Sequence, residues 1–123
     1  MPHDDADWPG DWLRGVLAVC VLRVLADGPT YGYAIASRLA ATGLGTLKGG
    51  TLYPALTRLE QAGLVRTQWR PGVGGPGRKY FALTADGHAD LARRGAAWRE
   101  FAGLNRWLAD NVGATTAPPD RRR

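Results

Sequence analysis

The sequence has one cysteine, two histidines and no long apolar run among its 123 residues. Cys20 alone permits no intrachain disulfide, and we interpret it as a small core residue. The longest apolar run, Leu13–Ala26, is interrupted by Arg14 and Arg23 and is shorter than the roughly 20 residues that a membrane helix needs. The acidic first residues lack the basic segment of a signal peptide, so we expect a cytoplasmic protein.

Catalytic and metal-binding patterns are also missing. An enzyme needs an activated nucleophile, paired acid and base groups, or a metal site. The sequence contains no H-E-x-x-H, C-x-x-C or G-x-S-x-G, and no glycine-rich phosphate motif precedes a helix. His3 and His88 fall in the acidic N-terminus and on the last predicted helix. The sequence therefore predicts a protein that is not an enzyme and has no cofactor and no metal site.

Charge is distributed unevenly along the chain, whose net charge is +5. Residues 1–27 carry five aspartates against two arginines, a net charge of −3. Residues 48–80 carry six basic side chains against Glu60 alone, a net charge of +5. Positive charge concentrated in one segment favours a polyanionic partner, although a basic face that is merely solvated has the same composition.

The segment from Gly49 to Val65 has the period of an amphipathic helix. Leu52, Leu56 and Leu59 recur at i, i+4 and i+7, which gives one apolar face. The opposite face carries short or flat polar groups of the kind that read DNA: Thr51, Pro54, Thr57, Arg58 and Gln61, with Tyr53 at its edge. From these residues alone, an ordinary surface helix is the alternative.

Local residue preferences set the expected ends of this helix. We expect it to run from about Gly49 to Ala62. Pro54 costs little if it lies in the first turn, where its missing N–H has no partner in any case. Gly63 then follows in a left-handed turn.

Two helices are predicted before this one. The first, capped by Asp11 or a neighbour, runs to about Asp27 and is apolar on more than one side, which suggests cover from a second subunit. A turn at Asp27-Gly28-Pro29 follows, and Thr30 is expected to cap a helix Tyr31–Ala41. A glycine-containing connection then leads to the Gly49 helix, and this order is a helix-turn-helix.

A basic hairpin is predicted next. Leu64–Arg70 and Arg78–Leu83 have the composition of strands, and Pro71–Gly77 is expected to be an irregular loop. A helix-turn-helix followed by such a hairpin is a winged helix.

Thr84 can cap a final helix that runs to about Asn111. Its apolar stripe consists of Leu91, Trp98, Phe101, Leu104 and Leu108, with Trp107 beside it. A small domain cannot cover so many large side chains alone, so we expect this helix to pair with its symmetry mate and with the first helix of a homodimer.

The predicted fold class is mainly α with a small β-hairpin, as a winged helix-turn-helix plus a long C-terminal dimerisation helix. The predicted parts are a flexible acidic N-terminus at 1–10, a winged-helix DNA-binding domain at 11–83, a C-terminal dimerisation helix at 84–112 and a disordered basic tail at 113–123.

The predicted partner is double-stranded DNA with a near-palindromic operator, as two-fold symmetry requires. We expect phosphate contacts from Lys48, Arg58, Arg78 and Lys79 and base-edge contacts from Thr51 and Thr57. Tyr33 joins them from the outer face of the second helix.

Two separate motifs resemble the PadR family of bacterial winged-helix regulators. The first is Gly50–Leu56 followed by Arg58-Leu59-Glu60 and Gly63-Leu64, and the second is Arg78–Phe81 followed by Leu83–Gly87. Tyr31-Gly32-Tyr33 also matches the family pattern. The resemblance covers about residues 13–112, in the branch with a single C-terminal dimerisation helix.

This resemblance implies a dimeric repressor, and several family members release DNA on binding phenolic acids or flat aromatic drugs. It implies DNA contact for Tyr53 and Pro54 on the recognition helix and for Arg78 and Lys79 at the wing. It also implies that Trp98 matches an aromatic position that faces a ligand pore at the dimer interface in some members.

We therefore predict a site for a planar aromatic molecule formed by Trp98, Phe101, Leu13 and Leu17. The alternative for Trp98 is an ordinary packed position on the interfacial stripe. The alternative for the whole protein is a dimer that binds a small molecule or another protein and whose winged helix has little role in DNA binding.

Overall fold

The computed structural model describes residues 8–72 and 74–113. In chain order, the described elements are α1 (Gly10–Leu25), β1 (Thr30–Tyr31), α2 (Gly32–Leu39), a π-helical turn (Ala40–Leu44), α3 (Gly49–Gln61), β2 (Val65–Gly72), β3 (Gly75–Leu83) and α4 (Ala85–Val112). The predicted fold class, mainly α with a winged helix-turn-helix, is confirmed. The chain divides into two compact units, the first ending at Ala92 and the second beginning at Arg93.

The core of the first unit is formed mainly by the three helices before the wing, and Val65, Phe81 and Leu83 of the sheet complete it. Its most deeply buried large side chains are Val21 and Leu22 of α1, Ile35 of α2, and Leu52 and Leu56 of α3. Each such side chain contributes about 1.5–3 kcal/mol when it is fully buried, so these contacts are the main stabilisation of the unit. The apolar face predicted for α3 is therefore confirmed.

The first two helices begin differently from the sequence prediction. Helix α1 starts at Gly10 after Pro9, and no side chain caps it. The prediction that Asp11 caps the helix is wrong, because Asp11 lies inside the first turn. Its carboxylate is still favourable there, since the first turn carries the positive end of the helix dipole.

A short strand replaces the predicted first turn of the second helix. Thr30 and Tyr31 form β1, which pairs antiparallel with β3 through Phe81 and Tyr80. The prediction that Thr30 caps a helix beginning at Tyr31 is therefore wrong, and α2 begins at Gly32. The sheet thus has three strands in the order β1-β3-β2, one more than the predicted hairpin.

The wing is a more regular hairpin than its composition predicts. Strand β2 extends to Gly72 and β3 starts at Gly75, so the prediction of an irregular loop over residues 71–77 is wrong. A Cβ at Gly72 would overlap the Pro76 carbonyl oxygen, and one at Gly77 would lie 2.9 Å from the Arg70 carbonyl oxygen. These glycines allow the two strands to approach closely where a side chain would not fit.

The connection between α2 and α3 requires glycine. The π-helical turn follows α2. Gly43 within that turn and Gly45 directly after it have φ values of 102° and 89°, a region that favours glycine. The indole Nε1 of Trp8 donates a hydrogen bond of 3.3 Å to the Gly43 carbonyl oxygen. The break that the sequence predicts here is confirmed.

Asp27 joins the end of α1 to α2 at the surface. Its carboxylate accepts hydrogen bonds from Arg38 at 2.8 Å and from Arg23 at 3.0 Å. The two guanidinium groups, Arg38 foremost, lower the pKa of the Asp27 carboxyl below its usual range. The carboxylate therefore stays charged, and this link persists, over the whole neutral range.

Helix α3 has the ends that the sequence predicts. It runs from Gly49 to Gln61, and Gly63 follows with φ 77°. Pro54, however, is the sixth residue of the helix and lies beyond the first turn, where a proline would cost little. Proline has no N–H for the Gly50 carbonyl, and because both residues are exposed, water can solvate that oxygen.

The start of α4 is fastened to the wing by Thr84 and Gly87. The Thr84 hydroxyl accepts a hydrogen bond from the Gly87 N–H at 3.0 Å and donates one to the Gly63 carbonyl oxygen at 2.7 Å. The predicted cap is confirmed. A Cβ at Gly87 would overlap the Leu64 carbonyl oxygen, so glycine lets the helix start lie directly on the chain that enters β2.

The second unit exposes a row of apolar side chains on α4. Trp98 is half-buried, and its ring meets Phe101 edge to face with centroids 5.3 Å apart. The large apolar residues that are between 46% and 59% exposed in this unit are Phe101, Leu104, Trp107, Leu108 and Val112. The predicted flexible 1–10 segment and the tail at 113–123 lie mostly outside the described residues.

We predict that Thr84→Ala lowers the free energy of unfolding by about 1–2 kcal/mol, because the cap and the bond to Gly63 are both lost. Thr84→Ser is the control, since it keeps the hydroxyl and should keep most of the stability. Urea unfolding followed by circular dichroism measures both variants. A Thr84→Ala midpoint equal to that of the wild type would contradict the assigned role of this hydroxyl.

Candidate nucleic-acid interface

The outward face of α3 carries side chains suited to DNA. Tyr53, Pro54, Thr57 and Arg58 are exposed and Thr51 is half-buried. Lys48 is exposed at the residue that precedes the helix. An α-helix fits the major groove, where hydroxyl and guanidinium groups reach base edges and phosphates.

A hollow of about 460 Å³ lies beside this face and is here named the aromatic hollow. Helix-turn-helix and wing both contribute to it, and its lining residues are Tyr31, Gly32, Tyr33, Tyr53, Trp69, Gly77, Arg78, Lys79 and Phe81. Tyr53 is 49% and Tyr33 76% exposed. The hollow thus combines flat aromatic rings with two cationic side chains on one surface.

Where β1 pairs with β3, two tyrosine rings and two arginine guanidinium groups form a stack in the order cation, ring, ring, cation. The Arg70 guanidinium lies 4.4 Å from the Tyr80 ring centroid, and that of Arg78 lies 4.4 Å from the Tyr31 ring centroid. The two tyrosine rings meet edge to face with centroids 5.5 Å apart. Each cation–π contact contributes about 0.5–1 kcal/mol at exposed sites. The stack restricts where Arg78 can point while it leaves the guanidinium N–H groups accessible.

Lys79 and Trp69 face each other across the hairpin. They are paired in the β2–β3 register, and the Lys79 ammonium lies 5.6 Å from the Phe81 ring centroid. Trp69 is 69% exposed, and a Cβ at Gly77 would lie 3.6 Å from its Cε3. The indole therefore lies beside the bare backbone of Gly77 at the edge of the hollow.

A hydrogen bond links the recognition helix to the wing. The Thr67 hydroxyl of β2 donates to the Glu60 carboxylate of α3 at 3.1 Å. Glu60 is the only carboxylate within residues 48–80, and here it faces the strand. In the described part of the chain, neither Arg78 nor Lys79 forms an ion pair, so their charge is available to an external anion.

The structure brings the predicted DNA-binding residues into three groups. Tyr33, Tyr53, Arg78 and Lys79 all line the aromatic hollow. Thr51, Pro54 and Arg58 line a second groove of about 170 Å³ between α1 and α3. Lys48 and Thr57 are exposed on or next to α3 and line neither.

Sequence reasoning missed two residues of this surface, Tyr31 and Trp69. Tyr31 belongs to the Tyr-Gly-Tyr motif, but the sequence predicted it in a helix. Trp69 stood in a predicted strand, on the face that it shares with Val65 and Thr67. Alternation therefore predicts an inward ring and gave no signal that Trp69 is 69% exposed.

The predicted ligand residues fall in different units. Leu13 and Leu17 of α1 belong to the core of the first unit and are 8% and 2% exposed, and both line the second groove. Trp98 and Phe101 lie on α4 in the second unit. A common ligand site for the four stays a prediction.

None of the described helices is long and apolar enough to span a membrane, and nowhere in residues 8–72 and 74–113 do three metal-binding side chains group together.

Burial raises the pKa of the Cys20 thiol, which keeps it in the less reactive protonated form at neutral pH.

Three helices, a connecting turn rich in glycine and a basic hairpin define a winged-helix protein. The chain belongs to the transcriptional regulator PadR-like family, whose family model matches residues 21–93. Regulators of this family bind DNA and typically act as dimers.

Solved structures of similar proteins agree with this assignment. A PadR family transcriptional regulator from Eggerthella lenta is 35% identical, with 82% of this chain and 88% of that chain covered and a TM-score of 0.69. A Streptococcus transcriptional regulator is 33% identical, with 80% and 96% covered and a TM-score of 0.70. A protein of Lysinibacillus sphaericus is 29% identical over 92 residues, which span 73% of this chain and 84% of that protein.

Proposed function

We propose that this regulator is a dimeric repressor that binds a near-palindromic operator and is released by a planar aromatic molecule. The observation that carries the DNA-binding part is the aromatic hollow, where the recognition helix and the wing present hydroxyl groups, rings and unpaired cations on one surface. Exposed cations of this kind attract phosphates, and their neighbours on α3 are of the types that read bases.

In the proposed complex, α3 enters the major groove and the wing follows the adjacent backbone. Thr57 is exposed on the side of α3 that its buried leucines leave free, and Thr51 is half-buried on the same helix. These two hydroxyl groups reach base edges, and the exposed Arg58 contacts a phosphate. Arg78 and Lys79 contact phosphates next to them. Tyr53 lies between the two groups, and its phenol is placed to donate to a phosphate oxygen.

The exposed stripe of α4 supports the homodimer. Phe101, Leu104, Leu108 and Val112 recur at i, i+3, i+7 and i+11, so they share one side of the helix. Contiguous apolar surface of this kind marks an interaction site, and a second copy of the same helix offers the matching surface. A two-fold dimer sets its recognition helices roughly 34 Å apart, one turn of DNA.

Trp98 supports the ligand-released form of the proposal. It is half-buried on α4 with the edge of Phe101 against it, and Gly95 and Ala102 nearby are small. Small residues beside large rings leave room between paired helices, and a flat ligand fills such room by stacking. A wedged ligand then releases DNA by changing the distance between the two recognition helices.

The first prediction tests phosphate contact by the wing. With roughly 6–8 phosphate contacts per dimer, the log–log dependence of DNA affinity on salt has a slope of about −5 to −7. Replacing Arg78 and Lys79 together by alanine should weaken binding to all sequences and reduce the slope by about 3–4, as measured by fluorescence anisotropy at several salt concentrations.

The matched control removes the same charge elsewhere. Arg99 and Arg106 are exposed on α4 and lie on the side opposite the apolar stripe by helix geometry. Their double alanine variant should keep the wild-type slope. Equal slopes for the wing variant and the wild type would contradict phosphate contact by the wing.

The second prediction tests the dimer. Leu104→Glu together with Leu108→Glu places two charges in the proposed interface and should yield monomers in sedimentation velocity, because an unpaired charge is costly to bury. The Arg99→Ala and Arg106→Ala control changes net charge by the same amount and should stay dimeric. A Leu104→Glu, Leu108→Glu protein that sediments as a dimer would move the interface away from this stripe.

The third prediction concerns Trp98→Ala. If Trp98 lines a ligand site, the dimer survives and the quenching of tryptophan emission by planar aromatic compounds falls sharply compared with the wild type. If Trp98 is packed core instead, the variant loses about 3–5 kcal/mol of stability and the dimer weakens. A stable variant that keeps wild-type affinity for such compounds removes Trp98 from the site.

A further inference from the structure

The first residue of α2 leaves a space that a side chain from α3 occupies. Gly32 is buried, and a Cβ built on it would overlap the Tyr53 hydroxyl oxygen. The same Cβ would lie 2.7 Å from Cζ and 2.9 Å from Cε1 of that ring. The three nearest atoms thus all belong to Tyr53, whose phenol lies directly on the backbone of α2.

A second glycine lies along the other edge of the ring. A Cβ at Gly49, the first residue of α3, would be 3.6 Å from Cδ2 and 3.9 Å from Cε2 of Tyr53. The ring is therefore bracketed by the first residues of the two helices of the helix-turn-helix. It is still 49% exposed, and its open side faces the aromatic hollow with Arg78 and Lys79.

Backbone conformation does not explain glycine at position 32. Among the described glycines, those with positive φ are Gly28, Gly43, Gly45, Gly63 and Gly74. Gly32 is described and is not one of them. Alanine is ordinarily more stable than glycine at a helical position. What alanine would change here is the space that the phenol occupies.

We propose that Gly32 is a positioning residue for DNA binding: its missing side chain forms the seat that holds the Tyr53 phenol in the aromatic hollow. A seated phenol presents its hydroxyl in one place before DNA arrives, so little side-chain freedom is lost on binding. This inference rests on the proposed DNA-binding function of the same surface.

The test compares Gly32→Ala with the wild type as full-length proteins. The probe is a duplex of about 30 base pairs from the region upstream of the protein's own gene, long enough for two half-sites one turn apart. Since the displaced atoms end a flexible side chain, the melting temperature should be unchanged or higher. DNA affinity should fall about tenfold, the scale of one hydrogen bond to a charged group.

Gly15→Ala is the matched control. Gly15 lies within α1, and a Cβ there meets nothing within 4 Å, so this variant makes the same chemical change in open space. It should keep wild-type DNA affinity. Unchanged affinity in Gly32→Ala would overturn the inference.

A double-mutant cycle separates positioning of Tyr53 from other effects of the methyl group. In a Tyr53→Ala background, Gly32→Ala should change affinity by less than about twofold, because the displaced side chain is already absent. An equal loss in both backgrounds would overturn the inference. So would unfolding of Gly32→Ala that Tyr53→Ala does not rescue, because the methyl group would then clash with something else.

A measurement without DNA distinguishes this inference from the proposed function. The chain has four tyrosines, and ring signals of labelled tyrosine in NMR spectra can be assigned to Tyr53 by their loss in Tyr53→Phe. Gly32→Ala should move that signal, and an unmoved signal overturns the seat. If the wild type binds no DNA, the proposed function fails and takes the DNA-binding role of Gly32 with it, whatever the ring signal does.

Discussion

Burial of the leucine face of α3 against α1 and α2 decides which side of the recognition helix faces outward. Leu52, Leu56 and Leu59 are almost fully covered, and because residues that share a helix face recur every three or four positions, Tyr53 and Arg58 must then face solvent. Truncating one such leucine to alanine costs about 2–5 kcal/mol, against a total stability of about 5–15 kcal/mol for a domain. The outward surface of α3 is therefore a consequence of how the core packs.

The wing depends on several smaller interactions that converge near Tyr31. Tyr31 belongs to the two-residue strand β1, which pairs with β3. The Tyr31 ring contacts both the Tyr80 ring and the Arg78 guanidinium. An edge-to-face ring pair contributes about 0.5–1.5 kcal/mol, so no single contact dominates. Together with the bond from Thr67 to Glu60, they set the orientation of the wing to α3.

The helices, their order and the recognition face could be predicted from the sequence because they follow from local periodicity and from end residues such as Thr84 and Gly63. Strand β1 could not, since Thr30 and Tyr31 pair with residues about fifty positions away and two residues carry no period. The extended wing was missed for a related reason. Pro71 and Gly72 disfavour strands by themselves, yet Gly72 pairs with Gly75, and Pro71 lies at an irregularity between the paired Arg70 and Gly72. The contact of the Tyr53 ring with Gly32 could not be predicted either, because it is formed between two helices, α3 and α2.

The same distinction applies to the candidate site. Arg78 and Lys79 were predictable as basic residues beside a turn. The Tyr31 ring near Arg78 depends on the pairing of β1 with β3, whereas the Phe81 ring near Lys79 follows from strand alternation. Conversely, the burial of Leu13 and Leu17 was predictable from their helical spacing. Whether Leu13 and Leu17 line a ligand site, and whether α4 pairs with a second copy, could not be predicted in the same way. Both depend on contacts between two copies of the chain.

The central claim is that the face formed by α3 and the wing recognises DNA, and a competition gel-shift tests it most directly. The wild-type protein is mixed with a labelled fragment from upstream of its own gene and challenged with the same fragment or a shuffled one, both unlabelled. The account predicts a saturable shift that the identical fragment abolishes at concentrations where the shuffled one has little effect. Equal competition by both fragments, or no shift at low salt, would contradict it.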